Sequence, residues 1–378
     1  MDAAKTWIMT DKVTSLPYVG ALDGLRAIAV LSVVLGHFGL PGFAVGGGYG
    51  VDVFFVLSGY LITLVLLKGD EQNRSLGVFY WHRVTRLLPL LAVVSASLFL
   101  LPQVLLSTWG ATINAIGALT YTANWTRAYG VPGWPSYMAH TWTLAVEEQF
   151  YLLWPAVLIA VRTIAGRRTA AVILGLTAAA LVWLAAMTLG GASIDRIYNG
   201  FDTHAPGLLI GCLLALLKPP PINGATFTGA VLAYLALICL VPWSPGGATA
   251  IWLLSCIFIC FAVGGARDSL AHRALSWRPL VFVGIISYGI YLWHYPVHQV
   301  LTHLQWPPAA FAGIGIATSI ALAWASRRLV EDPCLRARSA LSPRHQIIAG
   351  FTALALTIAA MIGGLVYFFG GFLASSPY

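Results

Sequence analysis

The segment LDGLRAIAVLSVVLGHF places two residues that could do chemistry, Arg26 and His37, inside an apolar stretch. On a helix turning about 100° per residue, this eleven-residue spacing puts them on one face, about 16 Å apart along the axis. A guanidinium can bind phosphate, and a neutral imidazole can take a proton from a hydroxyl. One extended ligand could therefore touch both side chains. The alternative is that Arg26 anchors the end of the helix and His37 hydrogen-bonds a neighbouring helix.

Asp52 follows the glycine-rich connection 39–50 and opens the next apolar stretch, GVDVFFVLSGYLI. This short connection predicts that Asp52 lies beside His37. A carboxylate there would fix the tautomer of the imidazole and raise its basicity.

Two adjacent glutamates lie inside the stretch TWTLAVEEQFYLLWP. Glu147 shares a helical stripe with His140, Tyr151 and Trp154, whereas Glu148 falls among small and aliphatic residues and would need a partner on another helix. We therefore predict that Glu147 is the functional glutamate and that neutralising Glu148 is mild. A structural hydrogen bond between helices is the alternative role for Glu147.

Basic residues with aromatic neighbours form a second type of pattern. FYWHRVTRLLP places Arg83 and Arg86 one turn apart, which suits a phosphate-bearing ligand with a planar base. Glu331 lies among arginines in SRRLVEDPCLR, where a local salt-bridge cluster is the alternative. For the two arginines, the alternative is ordinary anchoring at a membrane surface by basic and aromatic residues.

The composition shows what surrounds these residues. Of the 378 residues, 59% are apolar or aromatic and 9% are charged, against about 25% charged residues in soluble domains. The mean hydropathy is +0.81. These values exclude a soluble globular protein and a disordered chain, and five cysteines do not make a disulfide scaffold. We predict an all-α, polytopic transmembrane helix bundle.

A membrane-spanning helix needs about 20 mainly apolar residues. The sequence predicts about ten or eleven spans, at 22–43, 51–67, 87–106, 140–161, 169–190, 204–217, 226–242, 249–265, 279–303, 308–326 and 346–371. The apolar segment 111–124 is interpreted as re-entrant or interfacial. In the span 279–303, Pro296 is expected to kink the helix.

The basic residues predict the orientation. With the N-terminus in the cytoplasm, 19 of the 21 basic residues lie inside and only Arg127 and Arg196 lie outside. The net charge of +8 thus reflects topology and attraction to membrane lipid, so no nucleic-acid partner is expected. Cys256 and Cys260 lie one turn apart without a further ligand, and no metal is expected.

Six collinear segments between residues 20 and 336 resemble the acyltransferase-three family of bacterial membrane O-acyltransferases. They are LDGLRAIAVLSVVLGHF, GVDVFFVLSGYLIT, FYWHRVTRLLP, TWTLAVEEQFYLLWP, SYGIYLWHYPV and RRLVEDP. From the sequence we expect a single membrane domain over 1–378, with the family motifs at 20–336, an extra C-terminal helix at 346–371 and no appended soluble domain. The resemblance adds that some relatives carry an extra extracytoplasmic domain. It also implies the bacterial cytoplasmic (inner) membrane, and acetylation of surface polysaccharide, lipopolysaccharide, peptidoglycan or an antibiotic by acetyl-CoA.

The family motifs fall on particular residues of this chain. The resemblance implies that the family's functional positions fall on Arg26, His37, Asp52, Arg83, Arg86, Glu147 and Glu331. One departure is Asp332–Pro333, where the family often has Lys-Pro.

The two lines of reasoning combine into one expected mechanism. Acyl-CoA binds from the cytoplasm with its phosphates near Arg26, Arg83 and Arg86, with Glu331 nearby. His37, oriented by Asp52, acts as general base on a hydroxyl of a glycan or lipid-linked sugar that arrives from outside. Glu147 positions a substrate, and Tyr151, Tyr291 and His294 are further candidate substrate contacts.

Two alternatives to this mechanism remain open on the sequence. A covalent acyl-histidine would replace direct transfer. A proton-coupled polysaccharide or small-solute transporter would use the same buried histidine and carboxylates as a proton relay.

Overall fold

The computed structural model describes residues 18–71, 75–131 and 137–375, and these ranges form helices and connecting turns without a β-strand. The helices in the first part of the chain are α1 (Gly20–His37), α2 (Gly50–Glu71), α3 (Leu76–Ser97), α4 (Thr108–Leu119), α5 (Ala123–Ala128), α6 (Trp142–Ala165), α7 (Thr169–Leu189), α8 (Ile194–Asn199) and α9 (Phe201–Leu217). Those that follow are α10 (Gly224–Leu240), α11 (Pro245–Gly264), α12 (Leu270–Leu275), α13 (Arg278–Ile285), α14 (Ser287–His303), α15 (Pro308–Ser326), α16 (Asp332–Ala340) and α17 (Pro343–Ser375). The predicted all-α class is confirmed.

Every predicted span falls on a helix, and the polytopic bundle is confirmed. Within the described ranges, seven helical stretches are long and apolar enough to cross a membrane, and the bent pair α13–α14 makes an eighth. One of the seven, Ala139–Leu189, contains both α6 and α7. The two further apolar helices, α9 and α10, have 17 residues each, which is slightly short of a full span.

The helix predicted at 87–106 begins earlier, because its N-terminus is capped. The Ser75 hydroxyl accepts a hydrogen bond from the Gly77 backbone N–H at 3.2 Å, and α3 starts at the residue between them. Arg83 and Arg86 therefore lie inside a helix that packs against its neighbours, with their direction fixed by its rotation.

The predicted span 279–303 breaks at Ile286, where α13 and α14 meet at an angle of 68°. The predicted kink at Pro296 is therefore not the main bend, since Pro296 lies within α14. The segment 111–124 falls on α4, which has 12 residues, and on the start of α5. Neither helix is long enough to cross a bilayer alone.

Some of the residues behind the orientation prediction lie outside the described ranges. They are Lys5, Lys12 and Arg74. The two basic residues assigned to the outside are both described, Arg127 at the end of α5 and Arg196 in α8.

Glycines bring α2 and α9 into backbone contact. A Cβ atom on Gly59 would overlap the carbonyl of Leu208, and one on Gly211 would overlap the carbonyl of Val56. Small residues allow such close approach between membrane helices, where packing drives association. The position and rotation of α2, which carries Asp52, are thereby fixed.

Five helices surround the centre of the bundle. α1 contacts α2, α13 and α14, whereas α3 contacts α14 and α17, and α6 contacts α2 and α9. The facing sides of α1, α2, α3, α6 and α14 enclose the space into which several predicted site residues project.

The contact between α2 and α9 gives a prediction about stability. Gly211→Ala should destabilise the protein by about 1–3 kcal/mol, because the added methyl group overlaps a backbone carbonyl. The matched control is Gly175→Ala in α7, where a Cβ meets nothing within 4 Å and should be neutral or stabilising by up to about 1 kcal/mol. Thermal unfolding of both variants in detergent measures the difference, and equal melting temperatures would contradict the close contact.

Candidate active site

A cavity of about 220 Å³ lies between α1, α2, α3, α6 and α14. Apolar side chains form much of its wall. The predicted site residues among its lining are Arg26, Arg83, Arg86, Glu147, Tyr151 and Tyr291. Residues from four separate motifs of the sequence therefore meet in one space. His37, Asp52, His294 and Glu331 are outside this lining.

Arg83 is held in place by two neighbours. Its Nε and one Nη donate to the same carboxylate oxygen of Glu148, at 2.9 and 2.7 Å. The guanidinium carbon lies 3.2 Å from the centre of the Tyr151 ring, which is a cation–π contact. Glu148 thus has the partner on another helix that its surroundings required, a partly buried arginine, which argues against the expected mild effect of neutralising it. Sequence spacing within one helix could not identify a partner on α3.

The positive charges of Arg86 and Arg26, which also line the cavity, are less fully neutralised than that of Arg83. The Arg86 side chain is exposed and lines the cavity. It has neither a hydrogen bond nor an ion pair within 4 Å in the described part of the chain. Arg26 forms a long ion pair with Asp23, at 3.5 Å. The guanidinium of Arg86 is repelled by Arg26, Arg83 and the nearby Arg327. A phosphate group would relieve this repulsion, and arginine binds phosphate with paired hydrogen bonds.

Glu331 lies behind the arginines. One of its carboxylate oxygens accepts a hydrogen bond from Arg327 at 3.3 Å, and the other is buried without a partner among the described residues. Glu331 is close enough to attract Arg86 electrostatically. It ends a π-helical turn, Arg327–Glu331, which joins α15 to α16. The sequence placed Glu331 among arginines correctly, but the attraction to Arg86 crosses between helices.

Glu147 faces the cavity, as its helical stripe predicted. One of its carboxylate oxygens accepts a hydrogen bond from the Ser58 hydroxyl of α2 at 2.6 Å. Tyr151 lies one turn further along α6 and also borders the cavity. The two adjacent glutamates therefore have different surroundings: Glu148 is paired with Arg83, and Glu147 has one hydroxyl partner and an open side.

Asp52 does not pair with His37. Its two carboxylate oxygens accept hydrogen bonds from the indole N–H groups of Trp252 at 2.9 Å and Trp243 at 3.1 Å, and its side chain is fully buried. The ring of His204 lies 3.9 Å away. The expected pair fails because the rotation of α2 turns Asp52 toward α9 and α11. The signal that was missed is the two tryptophans, since a buried indole N–H needs an acceptor.

His37 ends α1 and pairs with another histidine. Its Nδ1 lies 3.0 Å from Nε2 of His294 on α14. The edge of Tyr295 meets the His37 ring at 5.0 Å between centres, and His298 lies further along the same helix. His294, which the sequence analysis proposed as a substrate contact, is thus a neighbour of His37.

Tyr291 lies between the histidines and the cavity. Its hydroxyl contacts the Thr143 hydroxyl at 2.6 Å and donates to the backbone carbonyl of His140 at 2.7 Å. Its own backbone carbonyl accepts from Nδ1 of His294 at 2.6 Å. One residue therefore connects the wall of the cavity to the partner of His37.

His140 was not singled out as a site residue by the sequence. Its ring stacks on Tyr295 and meets the edge of His294, with ring centres 5.1 and 5.2 Å apart. Both of its ring nitrogens are buried without a hydrogen-bond partner among the residues described. An imidazole next to an apolar run is not by itself distinctive, so only the packing of the turn Ala139–Thr141, just before α6, against α14 reveals this neighbour.

The arrangement has two chemically different ends. Guanidinium groups that can bind phosphate lie at one end, and neutral imidazoles that can accept a proton lie toward the other. Arg26 and His37 belong to the same continuous helix, so their predicted separation of about 16 Å along its axis is retained.

Comparison with known proteins gives a consistent assignment. A family model described as an acyltransferase domain matches residues 19–328. The peptidoglycan O-acetyltransferase OatA of Listeria monocytogenes is 34% identical over 354 residues, which cover 84% of this chain and 56% of the relative. The putative peptidoglycan O-acetyltransferase YrhL of Bacillus subtilis is 37% identical over 320 residues, which cover 76% of this chain and 50% of the relative.

The chain thus spans about half the length of these curated relatives. No solved structure matches it. The family model, however, covers most of the chain and includes every predicted site residue except Glu331. On this evidence the protein belongs to the acyltransferase domain family that its sequence motifs indicated.

Proposed function

We propose that this protein is a membrane O-acetyltransferase that moves an acetyl group from cytoplasmic acetyl-CoA to a hydroxyl of peptidoglycan or its lipid-linked precursor. The observation that carries the proposal is the cavity between the arginines and the histidine pair, in a chain of the acyltransferase family. The two relatives above are named for acetylation of peptidoglycan, which supports this choice of acceptor. Neither relative is named as a transporter.

The arginines support a coenzyme A donor. CoA carries phosphates at one end and its thioester at the end of a thin, flexible arm. The cavity of about 220 Å³ is too small for the nucleotide, so the nucleotide would bind at the mouth near Arg86 and Arg26. The arm would then extend into the cavity toward Tyr291. The separation of about 16 Å along α1 suits a ligand with phosphate at one end and a reactive carbonyl at the other.

His37 is the proposed general base. It takes the proton of the acceptor hydroxyl as that oxygen attacks the thioester carbonyl. The C–S bond then breaks with its electron pair on sulfur, and the proton passes from His37 to the CoA thiolate. Glu147, with one hydroxyl partner and an open side, would position a substrate in the cavity. Asp52 would have a structural role, because its carboxylate holds the indole rings of Trp243 and Trp252 against α2.

The orientation is part of the same proposal. The distribution of basic residues supports an N-terminus, and an arginine end of α1, on the cytoplasmic side of a bacterial inner membrane. His37, at the other end of α1, would then face the outer side, where cell-wall glycan lies. Donor and acceptor would thus enter the bundle from opposite faces.

The assignment of His37 predicts the effect of removing it. His37→Ala should lower acetyl transfer by about 10²–10⁴-fold, which is the usual contribution of a general base. Binding of acetyl-CoA should be unchanged, because the arginines lie at the other end of the cavity. Transfer of labelled acetyl from acetyl-CoA to peptidoglycan in membrane vesicles measures the first quantity, and calorimetry on purified protein measures the second. Full activity in the variant would contradict the proposed mechanism.

The donor site predicts a selective loss of affinity. Arg86→Ala should weaken acetyl-CoA binding by about 10- to 100-fold, which corresponds to a charged hydrogen bond of about 1.5–3 kcal/mol. Arg336→Ala is the matched control, since that arginine is exposed and, among the described residues, donates only to the Asp332 backbone carbonyl of its own helix. Calorimetric titration with acetyl-CoA gives both affinities. Equal affinities would remove Arg86 from the donor site.

The two glutamates predict different defects. Glu147→Gln should lower the transfer rate at an unchanged melting temperature, because Glu147 faces the cavity with one hydroxyl partner. Glu148→Gln should lower the melting temperature, since loss of one partner of a buried pair costs about 3–5 kcal/mol and this pair is about four-fifths buried. Thermal unfolding and acetyl transfer are measured at matched protein level. The reverse pattern would mean that the two side chains exchange roles.

A further inference from the structure

Two hydrogen bonds define the protonation of the histidine pair. Nδ1 of His294 lies 2.6 Å from the backbone carbonyl oxygen of Tyr291. A carbonyl oxygen only accepts hydrogen bonds, so the proton of His294 is on Nδ1. Since a neutral imidazole carries a single N–H, its Nε2 has a free lone pair.

The surroundings of His294 support its neutral form. Its side chain is fully buried, and no carboxylate lies within 4 Å of it in the part of the chain that the structure describes. A charged imidazolium there would be desolvated without a counter-ion, which is costly. The lone pair on Nε2 must therefore accept the hydrogen bond that joins it to His37.

That bond fixes the state of His37. Its Nδ1 lies 3.0 Å from the acceptor Nε2 of His294, so Nδ1 of His37 carries the proton and donates it. The lone pair of His37 then lies on its Nε2, on the opposite side of the ring. Tyr295 packs against the His37 ring at a steep angle, with the two ring centres 5.0 Å apart, and limits rotation of the imidazole.

We infer that His294 is a positioning residue, which holds His37 in the Nδ1–H tautomer and directs the Nε2 lone pair of His37 to the acceptor hydroxyl. The inference rests on the proposed function, in which His37 is the general base. A neutral histidine held by a backbone carbonyl thus takes the place that the sequence analysis gave to Asp52.

The proton balance of the step follows from this arrangement. Nε2 of His37 takes the hydroxyl proton while the acceptor oxygen bonds to the acetyl carbon, and the C–S bond to CoA breaks. His37 is then an imidazolium with two N–H groups, and its Nδ1–H stays hydrogen-bonded to Nε2 of His294. The Nε2 proton leaves to the CoA thiolate, which restores neutral His37 in its original tautomer. His294 keeps its own proton on Nδ1 throughout.

Substitutions at His294 test the inference. His294→Leu removes the acceptor and should lower kcat by about 10- to 100-fold, as loss of an orienting partner does at other sites, while KM for acetyl-CoA changes by less than about twofold. His294→Gln places an amide oxygen near the position of Nε2 and should recover most of the lost kcat. A merely space-filling role predicts the opposite order, because leucine is the better apolar filler.

A neighbouring histidine provides the control. His298 lies one turn further along α14 with its ring centre 6.5 Å from that of His37, and its Nδ1 has no hydrogen-bond partner among the described residues. His298→Leu should keep kcat within about threefold of the wild type, since the ring of His298 contacts the backbone of His37 and makes no hydrogen bond to the His37 imidazole. Calorimetric binding of acetyl-CoA checks that each variant is folded.

The outcomes separate this inference from the proposed function. If wild-type protein transfers acetyl and His37→Ala does not, full activity of His294→Leu overturns the positioning role alone. A glutamine variant no better than the leucine variant also overturns it. If wild-type protein transfers no acetyl from acetyl-CoA, or His37→Ala stays fully active, the proposed function itself fails.

Discussion

The ion pair between Arg83 and Glu148 ties α3 to α6 and sets the wall of the cavity. Inside a membrane bundle a charge has little water to solvate it, so it needs a partner on a neighbouring helix. Arg83 meets this need with two hydrogen bonds to Glu148 and with the face of Tyr151. Because Glu148 is occupied in this way, Glu147 is the glutamate that faces the cavity.

The same constraint distributes charge unevenly along the cavity. At one end the arginines outnumber the carboxylates that contact them among the described residues, and Arg86 has no direct partner there. At the other end the polar groups are neutral imidazoles and hydroxyls, among which His37 pairs with His294 and Tyr291 with Thr143. An enzyme that binds a phosphate-bearing donor at one end and activates a hydroxyl at the other would need this distribution.

Asp52 shows how a buried carboxylate can serve the fold. Its two indole partners come from α11 and from the connection before it, so the carboxylate holds these segments against α2. A match to a family motif identified the position of Asp52, but it did not identify the partner. His294 illustrates the converse, because a residue expected only to contact substrate is the hydrogen-bonding neighbour of His37.

The sequence by itself determined the features that lie within one helix. Composition predicted the helical membrane bundle, and spacing placed Arg26 and His37 on one helix and Glu147 on the face toward the cavity. The contacts between helices were decided only by the tertiary structure: Glu148 with Arg83, Asp52 with its two tryptophans, and His37 with His294. The physical reason is that such contacts depend on the rotation and depth of each helix relative to its neighbours. Close glycine contacts such as Gly59 against α9 fix that rotation, and apolar periodicity does not reveal it when a helix is apolar on nearly every side.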